Sequence, residues 1–277
     1  MSLIAIEILY GLCVLGLLLA TRRRRRSVTL VTLARITATL ALADALVMSS
    51  RSWFSGVESN TDLLGVTLGI VGTLFALVVG FVVVVVWQSF TEAEQVATRE
   101  ANALADLERS SRGFPVRLRR QVQSAARTYA RLVITEEWKA MESGGSSERA
   151  HAALVELWQV YTMMGKPDLD HPIYAHSMSL LSDLDDSRRQ RLLLATKKIP
   201  TVLWVHMAGN AIAVVLLAMM FLSNVSIEDR LIMLSMIGTI ALVMFLIGEL
   251  ACVFSGDLRV HCHAFSHVIA NMQVLEE

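Results

Sequence analysis

The stretch GTLFALVVGFVVVVVWQSFTEAEQVATREANALADL, from Gly72 to Leu107, changes character at Trp87. The residues before Trp87 are almost all apolar, which is the composition of a segment that lies in lipid. The residues after it combine Glu, Arg and Asp with alanine and leucine at helical spacing, which is typical of a helix in water. Nothing between Trp87 and Thr91 breaks a helix. The pattern therefore predicts one continuous helix that leaves a membrane and enters water.

The composition of the whole chain is that of an integral membrane protein. Hydrophobic residues make up 54% of the 277 residues and charged residues only 18%, whereas charged residues form about a quarter of a soluble domain. Acidic and basic residues balance at 25 each, so the net charge gives no reason to expect nucleic acid as a partner. The partner that the composition predicts is the lipid bilayer.

Four apolar segments are long enough to cross the hydrocarbon, for which about 20 residues at about 1.5 Å each suffice. They are Leu3 to Ala20, Leu64 to Trp87, Pro200 to Leu222, and Leu231 to Phe254. A fifth segment, residues 27–49, has the right length but contains Arg35 and Asp44. Each of these charges costs about 2.5 to 3.5 kcal/mol at the centre of a membrane helix. They lie on opposite faces of the helix, where they cannot pair.

The distribution of basic residues favours five spans, with the N-terminus outside the cell. Basic loops that flank spans stay in the cytoplasm. Only a crossing by residues 27–49 keeps both Arg22 to Arg26 and the basic residues from Arg188 to Lys198 on that side. The alternative is that residues 27–49 form an amphipathic helix in the membrane interface, where Arg35 and Asp44 would be solvated.

The region between the second and third of the four apolar segments is predicted to be helical and cytoplasmic. The helix that continues past Trp87 is expected to end at the RGFP sequence, which begins at Arg112. Three further helices follow: Pro115 to Glu142, about Glu148 to Met163, and about Asp170 towards Lys198. No strand signal is present in the sequence. The predicted fold class is all-α, with four or five transmembrane helices and a helical cytoplasmic domain.

Small residues recur on one face of the second apolar segment. Gly65, Gly69, Gly72 and Gly80, together with Ala76, are spaced by steps of three and four. Small residues with this spacing allow two helices to approach closely in lipid. These four glycines are therefore predicted to be helix-packing positions.

A neighbouring row on the same helix consists of Thr73, Leu77 and Phe81, at steps of four. One of these side chains is polar and two are bulky and apolar. In a symmetric ring of subunits, such a row would form successive constrictions, and the apolar ones would gate by dewetting. We therefore predict that these three residues line a pore.

These features divide the chain into five segments. They are the N-terminal anchor span with the arginine cluster and the fifth segment (1–62), the pore-lining span (63–88), the cytoplasmic helical domain (89–199), the C-terminal pair of spans (200–254) and a cytoplasmic tail (255–277).

Three polar residues in or near the later spans are candidates for a polar or gating role. His206 and Asn210 are one helical turn apart inside the span that starts at Pro200, and Glu249 lies near the inner end of the last span. Polar residues inside a membrane usually face the bundle interior or a water-filled path. A hydrogen bond between helices explains His206 and Asn210 equally well, and Glu249 is close enough to the interface to be solvated.

The tail contains His261, Cys262, His263 and His267, and histidines four apart on a helix can share a metal. The signal is weak, because neither an HExxH sequence nor a paired CxxC accompanies them. We expect no metal and no cofactor. The sequence also contains no phosphate-binding glycine loop and no nucleophile elbow, so no enzymatic activity is expected.

Several sequences resemble the bacterial bestrophin-like proteins. They are the stretch from Gly72 to Leu107 quoted above, YARLVITEEWKAM, ELWQVY, IPTVLW and FSGDLRVHCHAF. The resemblance covers about Leu64 to Val274. The step from the apolar run to Trp-Gln-Ser-Phe is the most specific of them. This family is in turn distantly similar to the bestrophins, which are pentameric anion channels with a cytoplasmic helical domain.

The resemblance implies roles for particular residues. The run from Gly80 to Trp87 is similar to the Gly-Phe-rich neck helix of bestrophins, which places Phe81 at one constriction, with Leu77 and Thr73 one and two turns earlier. FSGD is similar to the bestrophin Pro-Phe-Gly element, which makes Asp257 a candidate gating residue. The acidic run of the animal calcium clasp is missing, so calcium gating is not implied.

The resemblance also implies a function and a setting. The expected protein is a homo-oligomer, a pentamer by analogy, that conducts small anions such as chloride across the bacterial plasma membrane. The alternative is a non-conducting, membrane-anchored helical scaffold or sensor module, whose charged helices bind a cytoplasmic partner.

Overall fold

The computed structural model of the protein describes residues 60–163, 172–220, 226–256 and 258–274, as well as Ala38, Ala41 and Ala45. All regular structure in these ranges is helical, and no strand occurs in them. The predicted all-α fold class is therefore confirmed.

Seven helices organise the described residues. They are α1 (Thr61–Ser110), α2 (Val116–Leu132), α3 (Glu148–Thr162), α4 (Pro172–Thr196), α5 (Thr201–Met219), α6 (Ile227–Ala251) and α7 (His263–Val274). After α2 the backbone continues through a π-helical stretch, Val133–Glu137, into a four-residue helix, Trp138–Met141.

Helix α1 is a single helix of 50 residues, which confirms the continuous helix predicted from the opening stretch. Its first turn is capped by Asn60, whose side-chain Oδ1 accepts a hydrogen bond from the backbone N–H of Leu63 at 3.2 Å. It ends in a 3-10 turn, Ser111–Gly113, which is followed by the extended Phe114 and by Pro115. The helix stops where the RGFP sequence predicts, since proline prevents the residue before it from remaining helical.

The chain forms two compact units. The first, which we call the apolar unit, comprises Met1–Val85 and Ile199–Gly248, and the second, the charged unit, comprises Val86–Lys198 and Glu249–Glu277. The five-segment division predicted from the sequence is finer than this one and stays a prediction.

The apolar unit contains membrane-length helices. Three helices of the described ranges are long and apolar enough to cross a bilayer, and their apolar parts belong to α1, α5 and α6. They overlap three of the spans predicted from the sequence, those from Leu64, Pro200 and Leu231. The other two predicted spans, Leu3 to Ala20 and residues 27–49, fall outside the described residues apart from Ala38, Ala41 and Ala45, which are helical.

Helix α6 begins four residues before the apolar segment predicted at Leu231, because a capping box starts it. The backbone N–H of Asp229 donates to the hydroxyl of Ser226 at 3.1 Å, and the Asp229 carboxylate accepts from the Ser226 N–H at 3.0 Å. Reciprocal bonds of this kind satisfy backbone groups that a helix N-terminus otherwise leaves unpaired.

The charged unit is held together by a contiguous apolar core. Its fully buried side chains come from the second half of α1 and from α2, α3, α4 and α7, and they include Leu104, Leu107, Tyr129, Leu154, Leu157, Tyr161, Leu181, Leu184 and Phe265. The predicted helix from Pro115 to Glu142 is present, but the π-helical stretch interrupts it. The wider π-helical turn rotates the following residues about the helix axis relative to a regular α-helix. Glu137, the last residue of this stretch, is completely buried.

Candidate functional site

The predicted pore-lining row lies on an exposed face of α1 in the part of the chain that the structure describes. The side chains of Leu77 and Phe81 are 55% and 65% exposed. Thr73 is also exposed, and its hydroxyl donates to the backbone carbonyl of Gly69 at 2.7 Å. A hydroxyl bonded in this way stays close to its own helix and still has oxygen lone pairs to offer.

The opposite face of α1 is buried in the chain. Phe75, Val79, Val82 and Val86 are each less than a tenth exposed. Within the described part of the chain, helix α1 therefore has one buried face and one apolar face that stays exposed. The uncovered face also includes Leu63, Val66, Ile70, Leu74, Val84 and Val85. A role for Thr73, Leu77 and Phe81 as a pore lining is compatible with this placement and stays a prediction.

The glycine face of α1 is open within the chain. A Cβ atom built at Gly69, Gly72 or Gly80 would meet nothing within 4 Å, and Gly65 is exposed. None of these glycines is therefore needed for packing against another helix of the same described chain. Their predicted role in helix packing is not met by contacts among the described residues, and it stays a prediction.

His206 and Asn210 contact each other on α5. The Asn210 amide nitrogen lies 3.0 Å from Nε2 of His206. His206 is exposed and Asn210 is half-buried in the single chain. The structure brings this pair together as the one-turn spacing predicts, and their gating role stays a prediction.

Glu249 and the loop after α6 form a tight corner. Gly256 has a φ of +83°, and a Cβ atom built there would lie 2.9 Å from Oε2 of the Glu249 carboxylate. Glycine suits this position because its φ lies in the left-handed region, which residues with a side chain rarely adopt. Asp257, the other gating candidate of this loop, lies outside the described residues.

The histidines of the tail do not form a ligand cluster with the described acidic and sulfur-containing side chains. The rings of His261 and His263 have centroids 5.3 Å apart. Cys262 is half-buried and His267 is exposed. Across the described ranges, no group of three or more His, Cys, Asp or Glu residues is placed to hold a metal ion.

A buried ion network in the charged unit was missed by the sequence analysis. Nε and Nη2 of Arg191 donate to the two carboxylate oxygens of Glu100, at 2.5 and 2.8 Å. The same Nη2 donates to Glu137 at 2.7 Å. None of the three side chains is exposed. Two carboxylates thus share one guanidinium in the core of the unit.

A second arginine balances the charge of this network. Arg188 donates to both carboxylate oxygens of Glu137, at 2.5 and 3.3 Å, and lies 3.3 Å from Nδ1 of His151. The Tyr129 hydroxyl donates to Glu100 at 2.6 Å. With two carboxylates and two guanidinium groups, the network is electrically neutral, which reduces the cost of burying charge.

The aromatic surroundings orient Arg191 further. Its guanidinium carbon lies 5.1 Å from the ring centroid of Trp138 and 5.9 Å from that of Phe265. The Trp138 indole N–H donates to the backbone carbonyl of Val260 at 3.1 Å. Because cations are attracted to aromatic faces, these rings fix the guanidinium plane between α1, α4 and the π-helical stretch.

The network shifts the pKa values of its members. Burial would raise the pKa of the Glu137 carboxyl, but Arg191 and Arg188 outweigh burial and hold that pKa below its ordinary value. Burial and the nearby Glu100 carboxylate raise the pKa of Tyr129 well above its ordinary value. Burial acts against the charge of Arg191, but Glu100 raises the pKa of Arg191. At neutral pH the tyrosine is therefore protonated, while Glu137 and Arg191 are charged.

A signal for this network is present in the sequence. Glu100 falls in step with the apolar positions Val96 and Leu104 of α1. Arg188 and Arg191 continue the row set by Leu181 and Leu184 on α4. A charged residue at a position that helical periodicity predicts to be apolar and buried indicates that a partner of opposite charge is buried beside it.

Comparison with known proteins places the chain in a family. A sequence profile described as the Bestrophin-like domain matches residues 36–265, which is most of the chain. No curated protein sequence matches it.

Solved structures with the same fold are known. A crystal structure of a single-site variant of a bacterial bestrophin homologue from Klebsiella pneumoniae superposes with a TM-score of 0.70 at 14% identity, over 87% of this chain and 97% of that chain. Another structure of the Klebsiella pneumoniae homologue gives a TM-score of 0.67 at 15% identity over the same shares. The resemblance noted in the sequence is thereby confirmed. The fold and the profile match agree, and the chain belongs to the bestrophin-like family.

Proposed function

We propose that the protein is an anion channel that works as a homo-oligomer, a pentamer by analogy with bestrophins, in the bacterial plasma membrane. The charged unit would lie in the cytoplasm. The pore would be lined by Thr73, Leu77 and Phe81, with the path continuing along the charged half of α1.

The two-faced character of α1 is the observation that carries this proposal. One face of its apolar half packs within the subunit, and the opposite face is uncovered and carries Thr73 and two large apolar side chains. When copies of such a helix surround an axis, their uncovered faces meet along that axis. Bulky apolar side chains then narrow the path, and they gate by dewetting.

The uncovered face of α1 carries no charge between Leu63 and Val85. Selectivity for anions would therefore come from polar groups and from the field of the protein. The Thr73 hydroxyl is one such group, and the positive N-terminal ends of helices are another.

The distribution of basic residues supports the proposed orientation of the chain. Lys197 and Lys198 lie shortly before Thr201, the first residue of the apolar helix α5, and both are exposed. Basic residues next to a span stay in the cytoplasm. This rule supports a cytoplasmic charged unit.

The proposal is tested by measuring the mass of the purified protein in detergent and chloride efflux from liposomes that contain it. A ring of several copies together with chloride efflux supports the channel. A stable monomer leaves no shared axis and contradicts it. A folded oligomer that conducts nothing at any tested voltage, pH or calcium concentration supports the alternative, a non-conducting membrane-anchored scaffold or sensor.

A further inference from the structure

Arginines are concentrated where α1 ends and α2 begins. From Arg109 to Thr135 the chain contains seven arginines and no aspartate or glutamate. The arginines are Arg109, Arg112, Arg117, Arg119, Arg120, Arg127 and Arg131. The whole-chain charge is zero, so this is a local excess of positive charge.

Most of these arginines have no acidic partner. Arg109 pairs with Asp106 at 2.7 Å, and Arg127 donates to the backbone carbonyl of Met272 at 3.2 Å. The other five make no ion pair with any carboxylate of the described residues, and all except the half-buried Arg119 are exposed. They are Arg112, Arg117, Arg119, Arg120 and Arg131. Two carboxylates that contact α2 are buried: Glu108 accepts from Gln123 at 2.8 Å, and Glu100 accepts from Tyr129 at 2.6 Å.

This surface is held in place by the core of the charged unit. The Phe114 ring, between Arg112 and α2, packs edge-on against Tyr161 with centroids 6.0 Å apart. The hydroxyl groups of Ser110 and Ser177 lie 2.9 Å apart. Residues 109–120 are therefore an ordered segment fixed to α3 and α4.

The segment lies at one end of a long helix. At about 1.5 Å per residue, Ser110 is about 35 Å along α1 from Trp87, where the apolar run ends. Arg117 and Arg120 are one helical turn apart on α2, and Arg112 precedes them by one short turn. Three guanidinium groups without an ion pair thus follow the end of α1 that is farther along the chain from its apolar half.

Such charges act on ions without binding them at a fixed site. Their field extends about 10 Å at 0.1 M salt, about 30 Å at 0.01 M and about 3 Å at 1 M. Clefts lined by one sign of charge raise the local concentration and the entry rate of the opposite ion by about 10 to 1,000-fold. In a symmetric ring, every copy would contribute the same three groups to one mouth.

We propose that Arg112, Arg117 and Arg120 form an anion-concentrating surface at the cytoplasmic mouth of the channel, which raises anion entry from that side and excludes small cations from it. The inference rests on the proposed channel function and deepens it. The ligand class is small inorganic anions, held by the field of the guanidinium groups.

The test compares chloride currents of the wild-type protein and R112Q/R117Q/R120Q in planar bilayers, with chloride entering from the cytoplasmic side. In about 0.01 M chloride we expect the triple variant to conduct about tenfold less than the wild type. In about 1 M chloride the two should conduct equally, because salt screens the charges. Anion entry from the opposite side should not change with the substitutions.

Two matched variants separate charge from structure. R149Q/R189Q/R259Q also removes three positive charges, but from exposed arginines that already pair with Glu136, Asp186 and Glu142. It should keep the wild-type dependence on salt. R112K/R117K/R120K keeps the charge and should conduct as the wild type does. A lysine variant as defective as the glutamine variant would overturn the inference.

The inference and the proposed function fail in different ways. If the wild type and R112Q/R117Q/R120Q conduct equally in both 0.01 M and 1 M chloride, the inference is wrong and the channel stands. If the wild type conducts nothing, the proposed function is wrong. In that case the positive charge of the arginine surface is tested by a binding experiment. The trisulfonated dye pyranine is added to the solubilised protein, and its binding is measured by fluorescence anisotropy. Equal binding by the wild type and the glutamine variant contradicts the inference.

Discussion

The guanidinium of Arg191 donates to both carboxylate oxygens of Glu100, at 2.5 and 2.8 Å, with neither side chain exposed. The two residues are 91 positions apart in the chain. Their contact joins α1, the helix proposed to line the pore, to α4, which leads into α5. Glu137 extends the contact to the π-helical stretch. The network is thus a joint between the main helices of the charged unit.

Replacing Arg191 should destabilise the protein strongly. In Arg191→Met the carboxylates of Glu100 and Glu137 lose their shared partner inside the core. We expect the free energy of unfolding to fall by about 3 to 5 kcal/mol, the usual cost of leaving a buried charge unpaired. The measurement is denaturant unfolding of the solubilised protein, followed by tryptophan fluorescence.

Two further variants check that burial is the cause. Arg189→Gln removes an exposed arginine that pairs with Asp186 on the same helix, and it should cost less than about 1 kcal/mol. The double variant Glu100→Gln, Arg191→Met should cost less than the sum of its two single changes, because the first change removes the charge that the second leaves unpaired. Strict additivity would contradict a coupled network.

Acid should weaken the network through Glu137. The folded protein holds the pKa of this carboxyl below its ordinary value of 4.5. The stabilisation is therefore fully present above about pH 5 and is lost as the pH falls below 4.5 towards the folded pKa. We expect the free energy of unfolding to decline over this range in the wild type and less steeply in Glu137→Gln.

A matched acidic residue provides the control for the pH experiment. Glu136 is the neighbour of Glu137, but it is about a third exposed and pairs with the exposed Arg149. The Glu136→Gln variant should keep the acid dependence of the wild type. If Glu137→Gln and the wild type lose stability with the same slope below pH 4.5, the ion pairs of Glu137 are not its source.

Truncating Phe81 should raise chloride flux. If its exposed ring narrows the proposed path, Phe81→Ala removes an apolar barrier to water and ions. A barrier lowered by about 1.4 kcal/mol raises a rate about tenfold, and we expect an increase of up to that size. The measurement is chloride efflux from liposomes at equal protein content.

The control for Phe81 lies on a different membrane-length helix. Ile212 on α5 is 60% exposed, so Ile212→Ala also removes exposed apolar surface from the apolar unit. Its flux should equal that of the wild type. An unchanged flux in Phe81→Ala, or an equal rise in both variants, would contradict a constriction at Phe81.

Two glycine-to-alanine changes should have effects of opposite sign. Gly256 has a positive φ, and a Cβ atom there would press on the Glu249 carboxylate, so Gly256→Ala should destabilise the protein by about 1 to 2 kcal/mol or more. Gly209 lies within α5, and a Cβ atom there would meet nothing within 4 Å. Gly209→Ala should stabilise the helix by about 0.5 to 1 kcal/mol. Thermal unfolding of the solubilised variants distinguishes the two, and a neutral Gly256→Ala would show that the loop can relax.

The sequence by itself determined the class of protein and its long helix α1. A long run of apolar residues predicts a membrane span, and helical periodicity can be recognised from the local sequence alone. Helix α1 could therefore be predicted as one helix that continues past Trp87, where the composition changes from apolar to charged. The helix end at Arg112 to Pro115 was equally local, because proline restricts the residue before it. The row of Thr73, Leu77 and Phe81 follows from spacing alone.

Only the tertiary structure decided which face of α1 is covered and which charges are buried. The pairing of Glu100 with Arg191 depends on how α1 and α4 pack, and no local pattern fixes the distance between residues so far apart in the chain. The π-helical stretch that brings Glu137 to the same guanidinium has no sequence signal of its own. The physical reason is that local periodicity determines only the face of the helix on which a side chain lies. Which residues it contacts depends on how whole helices pack around the core.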